Sequence, residues 1–276
     1  MRKTWKALGL ALAAATLTGM QAAPRRAPDM ALWRLDCGTI QVSDLDVFSD
    51  TYLYRGQTKT LTNSCYLVKH GANYLLWDTG LPASAMTPAP AQGPFAMRLT
   101  VRIADQLARI GVRAEQVNFV GISHSHGDHT GQAIDFPRAT LLMGPADYET
   151  VSKGPDAQAR FGPWVSGAAK FVPVPRDRDV FGDGRVVMLD MPGHTPGHKS
   201  LLVDLPGGAV LLTGDLYHFT QQVANNGVPS FNADRSDTLG SFDRFRAIAK
   251  NRRAKVIIQH EPADVAKLPA FPKSAR

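Results

Sequence analysis

The chain has 276 residues, 44% hydrophobic and 20% charged, an ordinary globular balance that supports one large core or two fused halves and excludes a disordered chain. Its formal charge is +7, but the first two dozen residues hold three of the 31 Lys and Arg and none of the 24 Asp and Glu, which leaves 28 against 24, or +4. That surplus is mild and scattered, which excludes a phosphate-tracking surface for nucleic acid; Arg252, Arg253 and Lys255 read as a solvated helix end.

The N-terminus, MRKTWKALGLALAAATLTGMQAAP, sets Arg2, Lys3 and Lys6 ahead of an apolar Ala/Leu run ending in small residues, the layout of a secretory leader. Residues 1–23 are therefore expected to be removed near residues 20–24, leaving 24–276 as one domain. Met20 is a departure, because a small residue is expected there. The run is too short to span a bilayer, so no stable membrane insertion is expected after cleavage, and the mature protein is expected in the periplasm or outside the cell.

Strand-like runs follow at Leu32 to Val42, Ser64 to His70, Asn73 to Trp77 and Phe119 to Ile122, each bounded by Gly, Asn or Asp. The segment Met97 to Ile110 carries Leu99, Ile103, Leu107 and Ile110 at helical spacing, with Gly111 as its stop. Further strands are expected at Leu141 to Met143, Val186 to Asp190, Ser200 to Asp204, Val210 to Thr213 and Lys255 to Gln259, and a helix over Ser236 to Lys250. Two stretches, Pro82 to Pro94 and Asp147 to Arg178, read as surface excursions that cover a substrate. Export would permit a Cys37–Cys65 disulfide, yet both lie inside apolar strand-like segments, which reads first as two small buried thiols.

The strongest signal is FVGISHSHGDHTGQ, which delivers His124, His126, Asp128 and His129 from one turn after an apolar strand. Three His and one Asp within six residues, in a chain with eight His, are poorly explained by packing. His194 in MPGHTPGH, Asp215 in LLTGDLYH and His260 in VIIQHEP add single donors from elsewhere; the last two each follow an apolar strand.

Through H-x-H-x-D-H, the PGHTPGH turn, the TGD strand end and the terminal strand plus His, nearly the whole mature chain resembles the metallo-β-lactamase superfamily. The resemblance implies an α/β fold, the αβ/βα four-layer sandwich. It also implies His124, His126 and His194 on one metal, Asp128, His129 and His260 on another, and Asp215 bridging the two. Imidazoles with carboxylates suit two divalent ions, zinc foremost, sharing a hydroxide. Asp78 in LLWDTG matches a family carboxylate that orients a ligand imidazole, though an Asp before Thr79-Gly80 is also a plain turn residue. His198 is expected to hold the PGHTPGH loop, and His70 and His218 receive no metal role.

Within the superfamily, RLDCG, FSDT, NSCYLVKH, LLWDTGLP, HSHGDHTG, GDLYHF and PSFNADRSDT resemble the N-acyl homoserine lactonase branch. That branch opens a lactone ring through the bridging hydroxide, which silences acyl-homoserine signals (quorum quenching), with Asp128 here as proton shuttle. The expected partner is a small lactone; nothing in the sequence opposes a dimer. Met86, Phe95, Phe161, Trp164 and Phe231 are candidates for an acyl groove. Members of the branch place a tyrosine three residues after the bridging Asp; here that position is His218, and Tyr217 precedes it, so either is a candidate substrate contact. The rival reading is an exported β-lactamase, but that enzyme type carries Cys or Ser near position 215. A thioesterase of the hydroxyacylglutathione type adds a helical C-terminal region, and only 16 residues follow His260.

Overall fold

The computed structural model describes residues 27–87, 89–91 and 93–276, together with Met1 and Thr4. Apart from Met1 and Thr4, the expected leader lies outside the described residues. None of the described helices is long and apolar enough to cross a membrane.

The chain opens with two long antiparallel strands, β1 (Met30–Val42) and β2 (Lys59–His70), followed by β3 (Asn73–Trp77) antiparallel to β2. β1 slips register between Asp36 and Thr39, and Gly38 sits in that bulge at φ +117, where a Cβ would lie 2.5 Å from Leu81 Cδ1. β4 (Phe95–Arg98) pairs with the end of β1, and β5 (Phe119–Gly121), β6 (Thr140–Met143) and β7 (Phe171–Pro173) continue beyond β3 in parallel. The resulting seven-stranded order is β4-β1-β2-β3-β5-β6-β7.

A second, five-stranded sheet contains β8 (Arg178–Asp179), β9 (Val186–Asp190), β10 (Lys199–Leu205), β11 (Gly208–Leu212) and β12 (Lys255–Ile257), in the order β12-β11-β10-β9-β8. The inner faces of the two sheets meet in one core: Leu32, Tyr66, Leu75 and Trp77 from the first sheet lie against Met188, Leu201, Val203 and Leu212 from the second. On the outer face of the first sheet, Leu67, Leu76 and Val120 are covered by Ile103 and Leu107 of α1 (Ile103–Arg109) and by Phe161 and Trp164 of α4 (Ala157–Val165). On the outer face of the second, Leu189, Leu202 and Leu211 are covered by Phe242 and Phe245 of the helix Arg235–Asn251. This is the expected αβ/βα sandwich, built because each sheet has two apolar faces to bury.

Three expectations need correction. Helix α1 starts at Ile103, not Met97: Ile40 and Gln41 of β1 offer a free edge, and Met97 and Ala96 pair with it as β4, while the apolar spacing of Ile103 and Leu107 still closes the core. The stretch from Asp147 to Arg178 is not an excursion. It folds as α3 (Pro145–Lys153), α4 and β7, with Phe161 and Trp164 buried and the Trp164 indole N–H donating to Ala139 O at 2.9 Å. Cys37 and Cys65 are joined in a disulfide, their Cα atoms 5.8 Å apart, because the bulge in β1 brings Cys37 beside Cys65 of β2.

Candidate metal centre

The chemistry-bearing residues gather outside the carboxyl ends of the strands, the usual place for a site on an α/β sheet. β5 ends at Gly121 and leads directly into His124, His126 and the short helix α2 (Gly127–Thr130), which carries Asp128 and His129. β9 leads to His194, β11 to Asp215 and β12 to His260, so four separate strand ends converge.

Two clusters result. In the first, the donor atoms of His124, His126, His194 and Asp215 lie within 4.8 Å of one another; in the second, so do those of Asp128, His129 and His260. His124 Nε2 lies 3.0 Å from His126 Nδ1, and His194 Nε2 lies 3.2 and 3.1 Å from those two atoms. In the second cluster His129 Nε2 and His260 Nε2 are 3.2 Å apart, with Asp128 Oδ2 at 3.4 and 3.6 Å from them. Asp215 stands between: Oδ1 lies 3.1 and 3.0 Å from His129 and His260, while Oδ2 lies 3.6 Å from both His124 and His194. All seven ligand candidates singled out in the sequence are brought together.

The outward ring nitrogens are held elsewhere. His129 Nδ1 donates to Asp78 Oδ2 at 2.9 Å, His260 Nδ1 to Thr62 O at 2.9 Å and His194 Nδ1 to Asn232 Oδ1 at 2.8 Å. With the rings neutral, those bonds leave bare lone pairs facing one another in a buried pocket, an arrangement that repels unless a cation, whether a proton or a metal ion, sits between. Asp215 Oδ1 is also buried with no hydrogen-bond partner. Three imidazoles plus a carboxylate oxygen in one cluster, and two imidazoles plus carboxylate oxygens in the other, fit two divalent ions such as zinc.

Asp78 is more than a turn residue. It sits at φ +58, a conformation costing about 1–3 kcal/mol for a non-glycine. It is fixed there by accepting from Ser123 N at 2.7 Å and from Ser123 Oγ, His129 Nδ1 and Gln259 Nε2, each at 2.9 Å. Gln259 in turn accepts from Trp77 Nε1 at 2.9 Å and Gly214 N at 3.0 Å, so one amide joins the two sheets beneath the site. His198 behaves as expected: Nδ1 donates to Met191 O at 2.9 Å and Nε2 accepts from the Asp215 backbone N–H at 2.9 Å. Gly214 at φ +58 is required for that contact, since a Cβ would come within 2.6 Å of His198 Nε2.

In the metal-free chain, burial and neighbouring imidazoles hold His124 and His194 well below the ordinary histidine range, and burial takes His198 down to about 4. All three rings are therefore neutral at pH 7, the state that metal ligation requires of His124 and His194. For His129 and His260 burial acts the same way but is outweighed by Asp215 and Asp128, which raise both. The same interactions hold Asp215 and Asp128 below the usual carboxylate range against the effect of burial, with His129 the strongest contributor.

The centre opens into a crevice of about 350 Å³ walled by Ile40, Phe48, Leu61, Phe95, Met97 and Phe231, with His126, Asp128, Asp215, His218 and His260 at its base. Of the sequence candidates for an acyl groove, Phe95 and Phe231 line it. Phe161 and Trp164 are in the core of the opposite layer, and Met86 is exposed and away from the lining. Of the two candidate substrate contacts, His218 faces the crevice, whereas Tyr217 stacks on Phe242 at 4.4 Å and is buried in the outer layer of the second sheet. Consecutive residues on an extended segment face opposite sides, so only one of the pair reaches the site. Sequence reasoning missed Phe48, Gln259, Asn232 and Gln222. Phe48, Asn232 and Gln259 lie in the quoted motifs FSDT, PSFNADRSDT and VIIQHEP and carried that much signal; Gln222 carried none.

A family model described as the metallo-beta-lactamase superfamily matches residues 58–260. An N-acyl homoserine lactonase, AttM of Rhizobium radiobacter, is 33% identical over 186 residues, covering 60% of this chain and 68% of its own length. An N-acyl homoserine lactonase from a Bacillus species is 28% identical over 219 residues, covering 75% and 84%. Among solved structures, an N-acyl homoserine lactone hydrolase with N-hexanoyl-L-homoserine bound at its catalytic metal centre superposes with a TM-score of 0.75 at 23% identity, covering 89% of this chain and 98% of that one.

Proposed function

The chain belongs to the metallo-beta-lactamase superfamily, on its N-acyl homoserine lactonase-like side, and on that premise we propose that it opens the lactone ring of N-acyl homoserine lactones with two divalent ions in place. The observation that carries the reading is Asp215, whose two oxygens each face one donor cluster. His124, His126 and His194 would hold one ion, Asp128, His129 and His260 the other, and Asp215 both. When bound, such ions polarise a carbonyl and lower the pKa of water from 15.7 to about 7, so no Ser or Cys nucleophile is needed.

The chain's own residues supply the rest. Asp128 lies at the crevice base within 3.4 Å of His129 and is held by Asn63, whose side chain donates to Asp128 O at 2.7 Å. From there its carboxylate can take the proton given up as a water oxygen bonds to the ring carbonyl carbon, and pass it to the alkoxide freed when the ring C–O ester bond breaks. Phe48, Leu61, Phe95 and Phe231 give an apolar wall for an acyl tail and exclude water from it. Export to the periplasm or medium is part of the proposal, supported by the leader pattern and by the disulfide between Cys37 and Cys65.

The test is kcat/KM on a panel of acyl homoserine lactones of rising tail length, a simple lactone, nitrocefin and a glutathione thioester. Acyl-homoserine should be released, with nitrocefin nearly inert. Each covered methylene adds about 0.8 kcal/mol, so four should improve kcat/KM by about two decades until the groove is full. Efficient nitrocefin cleavage with inert lactones would make the protein a β-lactamase instead.

A further inference from the structure

We propose a second, non-catalytic ligand site for a small apolar carboxylate, in the pocket between the helices Thr220–Asn225 and Arg235–Asn251 and the strand β12, with Tyr217 and Arg246 receiving the carboxylate. The pocket has a volume of about 290 Å³, near the lower end of small-molecule sites. Val223, Phe245, Ala249, Val256 and Ile258 form its apolar walls. Among the described residues, none lines both this pocket and the crevice at the metal centre.

Tyr217 distinguishes this pocket from a gap in the packing. The residue is 1% exposed, and its ring is fixed by the stack on Phe242. The one polar atom of its side chain, the hydroxyl, is buried with no hydrogen-bond partner among the described residues. Arg246 lines the same pocket and is the cation felt at that hydroxyl, but a guanidinium only donates and cannot accept the phenol hydrogen. A buried O–H without an acceptor carries a desolvation cost that a ligand oxygen removes. Arg246 Nη1 donates to Asn226 Oδ1 at 2.7 Å, which holds the guanidinium in place and leaves most of its N–H groups for a ligand. Asp264, the acid on the wall, is already matched: Oδ2 accepts from Ile258 N at 3.0 Å and Oδ1 pairs with Lys267 Nζ at 2.6 Å. It therefore leaves the charge of Arg246 uncancelled. Two donors, one of them cationic, select an anionic acceptor, and a carboxylate takes both. The walls select what it is attached to, since a strongly hydrated inorganic anion gains nothing from Val223, Val256 and Ile258, whereas an aliphatic body buries against them.

The test titrates sodium octanoate, with 1-octanol as the uncharged control, into 15N-labelled protein as isolated and follows the backbone amide shifts. Octanoate should move Val223, Ala249 and Ile258 along one saturating curve, and octanol should bind there at least about tenfold more weakly, because it forfeits the charge-assisted bonds. Tyr217→Phe keeps the ring and its stack and removes only the unmatched hydroxyl, so it should fold as the wild type does and weaken octanoate at these amides by about tenfold. Arg246→Gln should weaken it by at least as much. Octanoate shifts confined to crevice residues such as Phe48 and Phe231, octanol binding as tightly as octanoate, or full affinity in both folded variants would overturn the proposal. The lactone panel is read separately, so failure here leaves the proposed function standing.

Discussion

Two buried regions of this molecule are held together by opposite chemistry. At the strand-end edge, His124, His129, Asp78, His198, Asp215, Gln259 and His260 are almost wholly removed from water, and their polar atoms are matched to partners or to one another. Behind the first sheet, Phe161, Trp164, Ile103 and Leu107 form a layer whose one polar demand, the Trp164 indole, is met by a single backbone carbonyl. Burying the converging donor atoms of the first group costs free energy that bound ions would offset, while burying the second is what keeps the sandwich closed. Substitutions should therefore split cleanly: at the edge they remove function, and in the layer they remove stability.

The largest effect is expected from Asp215→Asn, which keeps the shape and takes away the charge shared by both clusters. Lactone turnover should fall by roughly three decades or more, the scale of several kcal/mol of lost charge stabilisation, with a folded circular-dichroism spectrum retained. Asp128→Asn should lower kcat by roughly a hundredfold, as for a general acid, and should do so across all acyl lengths. Near-native turnover in that variant would remove the proton-shuttle role.

Trp164→Ala probes the other region. It should lower unfolding free energy by about 3–5 kcal/mol in denaturant titration while leaving kcat of the folded fraction unchanged. A loss of turnover without a loss of stability would place Trp164 in the function after all. The smallest effect is expected at the mouth, where Phe231 is 40% exposed. Phe231→Ala should flatten the acyl-length dependence by about fourfold for each methylene it leaves uncovered.

The same contrast explains what could be read from the sequence. Four donors on the turn from His124 to His129, and Asp215 and His260 after apolar strands, were legible because packing offers no reason for such residues in those places. The sandwich followed from them and from strands such as Asn73–Trp77 and Val186–Asp190, whose bounds are those expected. Aromatic residues were not legible, because a core and a groove want the same side chain: Phe161 and Trp164 went to one, Phe95 and Phe231 to the other. The disulfide was hidden for a related reason, since a buried thiol and a buried half-cystine look alike along the chain, and only the bulge at Gly38 brings Cys37 beside Cys65. Gln222 was invisible because its amide joins Phe48 to His218 only once those two meet in space.

Four strand ends from two sheets assemble one site, whose two donor clusters are joined by Asp215 and fit two ions. Elemental analysis of the purified, metal-replete protein tests it most directly, alongside Asp215→Asn. Two divalent ions per chain are expected in the wild type and fewer in the variant. One ion or none in a fully active wild type would contradict it.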